Sequence, residues 1–327
     1  MNSAASNLIR HYLRKSSLAM SAATAVRGVR AVSDLDELDA VFREAMNGNA
    51  EVTPEALVKM GHTRFVPPKE FFTSKDPFTK DYAALQKSLY ALVAKQSYST
   101  DNEVIFFDFE KVRHDFFPYN TRSPEFVGSQ LQAQGFMIRN IDLKPGARIV
   151  EFGSGWGNTA MHLALMGYDV TSVELNPPSI ALMQHRAEIH NRSIHFARQD
   201  MVAFAVETGE RFDAALFVAS FHHCEDHNLM LTNLDRIIED DGCVIFADEP
   251  ISKTRTPFMP YPWGLRLEGH SLYYVRNYGW LELGFQEGYF REALRRSGWE
   301  VHCILSTVEN VGDLYIAKKI PKAARGK

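Results

Sequence analysis

The spacing of apolar positions changes twice along this chain. Near the start, Leu35, Leu38, Val41, Phe42 and Ala45 recur close to one helical face, which predicts an amphipathic helix. A second helix is expected over Tyr82–Lys95. Val66-Pro67-Pro68 and Phe116-Phe117-Pro118-Tyr119 interrupt the pattern as turns. From Arg148 to about Glu249, short β-branched runs alternate with helical stretches. Strands are predicted at Arg148–Phe152, Asp169–Leu175, Ser193–Arg198, Asp213–Ala219 and Cys243–Asp248, and helices at Asn158–Met166, Ser179–His190 and Asn228–Ile238. Such alternation, with strands apolar almost throughout, predicts a parallel sheet covered on both faces. Sheets of this kind bind ligands outside the carboxyl ends of their strands. The pattern changes again at the end. A helix at Glu287–Ser297 precedes strands at Glu300–Ser306 and Asp313–Lys318. The turn between them, through Asn310-Val311-Gly312, is too short for a parallel crossover, so this pair must be antiparallel.

These textures divide the chain into a segment 1–33, a helical lead-in or lid at 34–140, and an α/β domain at 141–327 with an insertion at 250–285. Composition fits a globular protein, with 45% apolar and 23% charged residues among 327. The net charge of −4 gives no electrostatic reason to expect a nucleic-acid partner. Residues 1–33 hold Arg10, Arg14, Lys15, Arg27 and Arg30 and no acid, which leaves 31 basic against 40 acidic residues elsewhere. That start suits a peripheral contact; its Arg, Ser and Ala content also matches a mitochondrial transit peptide. Three scattered cysteines fit no disulfide framework, so a reducing, cytoplasmic setting is the simplest expectation and a mitochondrial one the alternative. No apolar run reaches the roughly 18–20 residues of a spanning helix.

The strongest local signal is Glu151-Phe152-Gly153-Ser154-Gly155-Trp156-Gly157, which ends the first predicted strand and opens a helix. Glycines there permit a sharp turn and close approach of a ligand to main-chain N–H groups. A dinucleotide fingerprint requires glycine at 153, 155 and 158, but position 158 is Asn158 and the third glycine comes one residue early. Glu151 would repel a pyrophosphate and suits a cationic amino-acid ligand better. Glu174, after the second strand, is placed to accept hydrogen bonds from both hydroxyls of a ribose. After the third strand, Asp200 can accept from an adenine amino group while Met201 packs on the ring.

Together, the loop, Glu174, Asp200 and the terminal antiparallel pair resemble the class I S-adenosylmethionine-dependent methyltransferases over about Leu143–Lys319. The resemblance implies a Rossmann-like sheet with S-adenosyl-L-methionine as cofactor. Its implied binding residues are Glu151, Gly153, Ser154, Gly155, Gly157, Glu174, Leu175, Asp200, Met201 and Ala219. Tyr119, in the lead-in, either closes over the cofactor or is a plain packing aromatic. In that family the loop after strand four faces the transferable methyl group. Here it reads Ser220-Phe221-His222-His223-Cys224-Glu225-Asp226-His227, and His222 or His223 stands where a base for a hydroxyl acceptor belongs. His223 has a second reading, as a cap on the following helix. The spacing of this run fits no standard metal pattern, so no metal is expected.

Asn176-Pro177-Pro178 resembles part of the motif of amino-nitrogen methyltransferases, but it follows strand two rather than strand four and reads as a helix start. In the insertion, eight of 36 residues are aromatic, about 22% against 12% for the chain. Such residues form either a stacking surface for sugar rings or a satellite core. The phrase from Pro260 to Phe290 is loosely similar to methyltransferases of bacterial polysaccharide and O-antigen assembly. It implies O-methylation of a sugar hydroxyl on a glycan or glycosylated intermediate, with Glu249 and His270 as further positioning or deprotonating candidates. The alternatives are a nitrogen or carbon methyltransferase acting on a small molecule, including a cyclopropane-lipid-synthase-like enzyme, and a catalytically silent interaction protein with the same sheet.

Overall fold

The computed structural model describes residues 28–49, 52–72, 75–259, 262–308 and 311–321. The expectations for most of the basic start therefore lie outside the described residues. Arg30 is described, and it pairs with Glu37 at 2.8 Å. By contacts the chain forms two compact units. One comprises the described part of Ala19–Glu103 together with Pro250–Phe290; the other comprises Val104–Glu249 and the described residues after Arg291. The boundary expected at 140 thus falls inside the second unit. Residues 250–285 group with 28–103 instead of with the sheet that precedes them in sequence.

The second unit is built on a seven-stranded sheet: β1 (Arg148–Phe152), β2 (Asp169–Val173), β3 (His195–Ala197), β4 (Phe212–Val218), β5 (Ile238–Ala247), β6 (Trp299–Ile304) and β7 (Leu314–Lys319). Their spatial order is β3-β2-β1-β4-β5-β7-β6. The first five strands are parallel, and β7 runs antiparallel to both β5 and β6. The expected end pair is therefore present, with the last strand inserted between its predecessor and β5. This is a Rossmann-like α/β fold whose order reverses between β1 and β4, and that reversal opens the crevice where such sheets hold ligands.

Three helices follow the parallel strands closely: α1 (Asn158–Leu165), α2 (Pro177–Ile189) and α4 (His227–Ile237), with α3 (Met201–Glu207) between β3 and β4. Asn176-Pro177-Pro178 starts α2, with proline in its first turn. The sequence pattern left α3 unmarked because it has only seven residues, too few for helical periodicity to stand out. One face of the sheet packs Ile149, Val170, Leu216 and Ile245 against Ala160, Met161, Leu163 and Met183. Across the middle, Phe152 pairs with Phe217 and Phe217 with Phe246 in register. Their rings stack at 5.0 and 5.2 Å and are wholly buried.

In the first unit, Arg30–Val32 pairs in parallel with Thr63–Phe65. A three-stranded sheet places Leu283–Gln286 between Ile251–Ser252 and Trp263–Leu265. Helices Leu35–Met46 and Lys80–Ala94 lie close to the predicted bounds. Both chain segments of this unit are tied together: the Tyr82 hydroxyl donates to the Trp263 carbonyl at 2.7 Å, and Arg276 grips Asp39 with two donors. Several aromatics of the insertion belong to its core. Trp263, Tyr273, Tyr274 and Trp280 are all less than a tenth exposed, and Tyr274 stacks on Trp280 at 5.4 Å. For these four rings the satellite core is the reading observed.

Deleting the middle ring of the phenylalanine stack should be costly. Phe217→Ala is expected to destabilise the protein by about 3–5 kcal/mol, read as a lower urea midpoint with little change in slope.

Candidate functional site

The three glycines of the loop after β1 have backbone angles that favour glycine. Gly153, Gly155 and Gly157 have φ of 67°, 53° and 72°. Two of them are also sterically confined. A Cβ on Gly153 would stand 2.8 Å from the Ser220 Cβ, and one on Gly157 only 2.1 Å from the Met183 Cγ. Gly155 faces open space. The loop therefore presses on the segment after β4 at one end and on α2 at the other, and leaves its middle clear.

Hydrogen bonds join this loop to its neighbours. Gly153 N–H donates to the Val173 carbonyl at 2.8 Å, and the Ser220 hydroxyl to the Phe152 carbonyl at 2.7 Å. Ser172 donates to the Ser154 hydroxyl at 2.8 Å. Glu174 takes Gly155 N–H on one oxygen at 2.7 Å and Asn176 N–H on the other at 2.9 Å. Acceptor capacity remains on that carboxylate for a ribose hydroxyl. Burial raises the Glu174 carboxyl above its ordinary value, and these backbone donors oppose the rise.

Glu151 is the more extreme acid. It is only 2% exposed, and its Oε2 has no hydrogen-bond partner. Burial pushes its carboxyl up to about 8, with hydrogen bonds from Ser154, Ala160 and Thr159 opposing and the nearby Glu174 charge adding to the rise. A buried acceptor left unsatisfied beside a second acid is the arrangement a cationic ligand relieves. The residues present thus fit an ammonium-bearing nucleoside ligand. At the end of β3, Asp200 accepts Val202 and Ala203 N–H on Oδ1 at 2.9 and 3.0 Å, capping α3. Leu175 and Met201 are half-buried beside these strand ends.

After β4 the backbone is strained. Ala219 has φ of 51° and Asp248, after β5, has 58°, a conformation that costs a non-glycine residue on the order of 1 kcal/mol or more. Glu249 holds this edge together. Its Oε1 accepts Ser220 and Phe221 N–H, each at 2.8 Å, and its Oε2 accepts His222 N–H at 3.2 Å and meets His222 Nδ1 at 2.7 Å. Burial pushes the Glu249 carboxyl up to about 7 against these donors. With four contacts on two oxygens, Glu249 fixes the loop and orients His222. That employment disfavours the expected role of taking an acceptor's proton. His222 is fully buried, while His223 is half-buried with its ring 4.4 Å from that of His222. The charge of His223 reaches both Glu174 and Glu249. The following helix α4 is capped by Asp226, which accepts Leu229 N–H at 3.1 Å, and not by His223.

Tyr119 lies in a single turn, 51% exposed, with Phe116 as its ring neighbour at 6.3 Å. His270 belongs to the other unit, in the helix Gly269–Tyr278, with its Nε2 3.6 Å from Glu268. Sequence reading missed Arg186, a charged residue among the buried positions Leu182, Met183 and Ala187 of α2. A lone arginine on an apolar stripe was a visible signal.

Glu151 has a consequence for stability. Its carboxyl rises from 4.5 to about 8 on folding, so between those values the folded protein holds a proton that the unfolded chain releases. This contribution is fully present below the unfolded value and is lost as pH rises through about 8. Glu151→Gln should therefore flatten the fall in stability of the ligand-free protein between pH 5 and 9, measured by urea denaturation at each pH.

Residues 150–246 match a family model described as a methyltransferase domain. The ubiquinone biosynthesis O-methyltransferase of Azorhizobium caulinodans is 29% identical over 113 residues, covering 35% of this chain and 44% of the relative. The cyclopropane-fatty-acyl-phospholipid synthase of Escherichia coli strain K12 is 26% identical over 180 residues, covering 53% and 44%. The chain thus spans less than half the length of these curated relatives. Among solved structures, the 1,6-didemethyltoxoflavin-N1-methyltransferase of Burkholderia thailandensis aligns at a TM-score of 0.43 with 17% identity, over 76% of this chain and 93% of that one. The stretch that matches the methyltransferase domain is the one that carries the glycine loop, Glu151, Glu174, Asp200 and the histidine pair.

Proposed function

We propose that this protein is an S-adenosylmethionine-dependent methyltransferase acting on a hydroxyl of a small molecule; a sugar hydroxyl as that acceptor rests on the sequence resemblance of Pro260–Phe290 alone. The observation that carries the cofactor reading is the buried Glu151 with its unsatisfied oxygen at the glycine loop. When bound, the cofactor supplies an electrophilic methyl group for in-line displacement. Glu151 offsets its ammonium charge, Glu174 accepts from its ribose hydroxyls, and Asp200, through Oδ2, accepts from its adenine amino group. Gly155 leaves the loop open for its approach.

The acceptor side rests on the histidine pair. A hydroxyl is a weak nucleophile until its proton departs, so a positioned base is required. His223 is the accessible imidazole, and His222 is buried behind it against Glu249. We assign the base to His223 and a supporting role to His222, since a group with no exposed surface cannot meet a diffusing acceptor. The positive charge formed on His223 lies within reach of Glu174 and Glu249.

The match to a cyclopropane-fatty-acyl-phospholipid synthase supports a second reading, transfer to carbon. A carbon acceptor does not call for the same base, and activity assays separate the two.

Calorimetry is expected to show S-adenosylmethionine binding and no NAD binding; the reverse would sink the reading. In a panel of sugar, phenol and unsaturated-lipid acceptors, methyl transfer should favour the hydroxyls. His223→Ala should lower kcat by about 10²–10⁴ with cofactor affinity retained. Unchanged turnover in that variant removes His223 as the base.

A further inference from the structure

Arg186 is 2% exposed on α2. Its Nη1 donates to the Trp156 carbonyl at 2.5 Å and to Asn158 Oδ1 at 3.2 Å, and its Nη2 to the Asp115 carbonyl at 2.9 Å. The guanidinium also lies over two rings, 4.9 Å from the centre of Phe116 and 5.6 Å from that of Trp156. Burial lowers its pKa to about 10, with the Asp115 charge opposing, so it remains a cation at neutral pH. Its Nε has no acceptor. A buried cation held by carbonyls is an expensive way to fill an apolar stripe, and a methionine would fill it without the desolvation cost.

What the arginine does that a methionine cannot is join two separate stretches of chain. Trp156 belongs to the glycine loop. Asp115 and Phe116 belong to the segment 104–121, which precedes the sheet by some thirty residues. The same segment grips the loop a second way, since Phe107 stacks on Trp156 at 5.5 Å and Phe117 meets it at 5.6 Å. One turn earlier on α2, Met183 fills the space that a side chain at Gly157 would need. Helix α2 is thus the floor of the loop, and Arg186 is the link from that floor to the segment.

We propose that Arg186 is a positioning residue that couples order in residues 104–121 to the glycine loop, so that a nucleoside cofactor seated on the loop tightens the segment. By reciprocity, the ordered segment then raises cofactor affinity by the same factor. This rests on the methyltransferase reading for the identity of the cofactor, but the coupling itself is a property of the ligand-free chain.

Hydrogen–deuterium exchange and calorimetry on the full chain test it, with S-adenosylmethionine as the probe. In the wild type, the cofactor should slow exchange across 104–121. In Arg186→Met, basal exchange there should rise, the cofactor should no longer protect it, and affinity should fall about tenfold. Arg186→Lys keeps the charge but loses the planar fork, and should fall between the two. In steady-state assays KM for the cofactor should rise while kcat at saturation changes little. A lower melting temperature with cofactor-dependent protection of 104–121 intact would overturn the proposal, because that is the behaviour of a merely structural residue. Should Arg186→Met fail to fold, Phe116→Leu, which removes a half-buried ring from under the guanidinium, carries the same comparison. Wild type that does not bind the cofactor would defeat the functional reading alone. The rise in basal exchange would then decide the coupling: no rise at 104–121 overturns it.

Discussion

Two acids at the mouth of one glycine loop set the terms for this protein. Glu151 ends β1 almost wholly buried, and Glu174 follows β2 with its carboxylate on the loop's own Gly155. Burial disfavours both charges, and the Glu174 charge pushes the Glu151 carboxyl further up. A fold built for stability alone would place an apolar residue at position 151, where the sheet core begins. The arrangement is intelligible as a site that is electrostatically incomplete until a cation arrives. Much of the surrounding structure serves to hold those acids still. Ser220 and Met183 confine the loop's two ends, and Glu249 holds the next loop in place.

The histidine edge follows a different rule. Glu249 is buried, as Glu151 is, and its oxygens are supplied with three backbone donors and an imidazole nitrogen. Satisfied in this way, it braces the β4 loop, whereas Glu151 keeps one buried oxygen without a partner although Ser154, Ala160 and Thr159 donate toward its carboxyl.

The parallel sheet, its end pair and the glycine loop were legible because each is a local pattern. Apolar runs mark β1 and β4, and a short turn dictates an antiparallel pair whatever lies around it. The insertion of β7 beside β5 was not legible, since strand order is decided by packing between distant segments. The same limit hid the first unit. Nothing near Tyr82 announces that its hydroxyl meets the Trp263 carbonyl 181 residues later, so the aromatic insertion admitted two readings. At the site, the placement of Glu151, Glu174 and Asp200 at strand ends was visible in the sequence, and attention to the histidine pair came from the family resemblance. Their surroundings were not visible, because burial decides which histidine is accessible and which acid keeps an oxygen without a partner. Arg186 lay between these cases. Its position on an apolar stripe was visible, but its two carbonyl partners lie in segments that only the fold brings together.

If Glu151 awaits a cation, binding of one should release its proton. S-adenosylmethionine binding can be followed by calorimetry at pH 7 in buffers of different ionisation enthalpy. Seated against the ligand's ammonium, a carboxyl that holds its proton in the free protein should give it up, releasing on the order of one proton per molecule bound. The release should be largely absent in Glu151→Gln. Tight binding with no proton released, or with the same release from both proteins, would contradict the account.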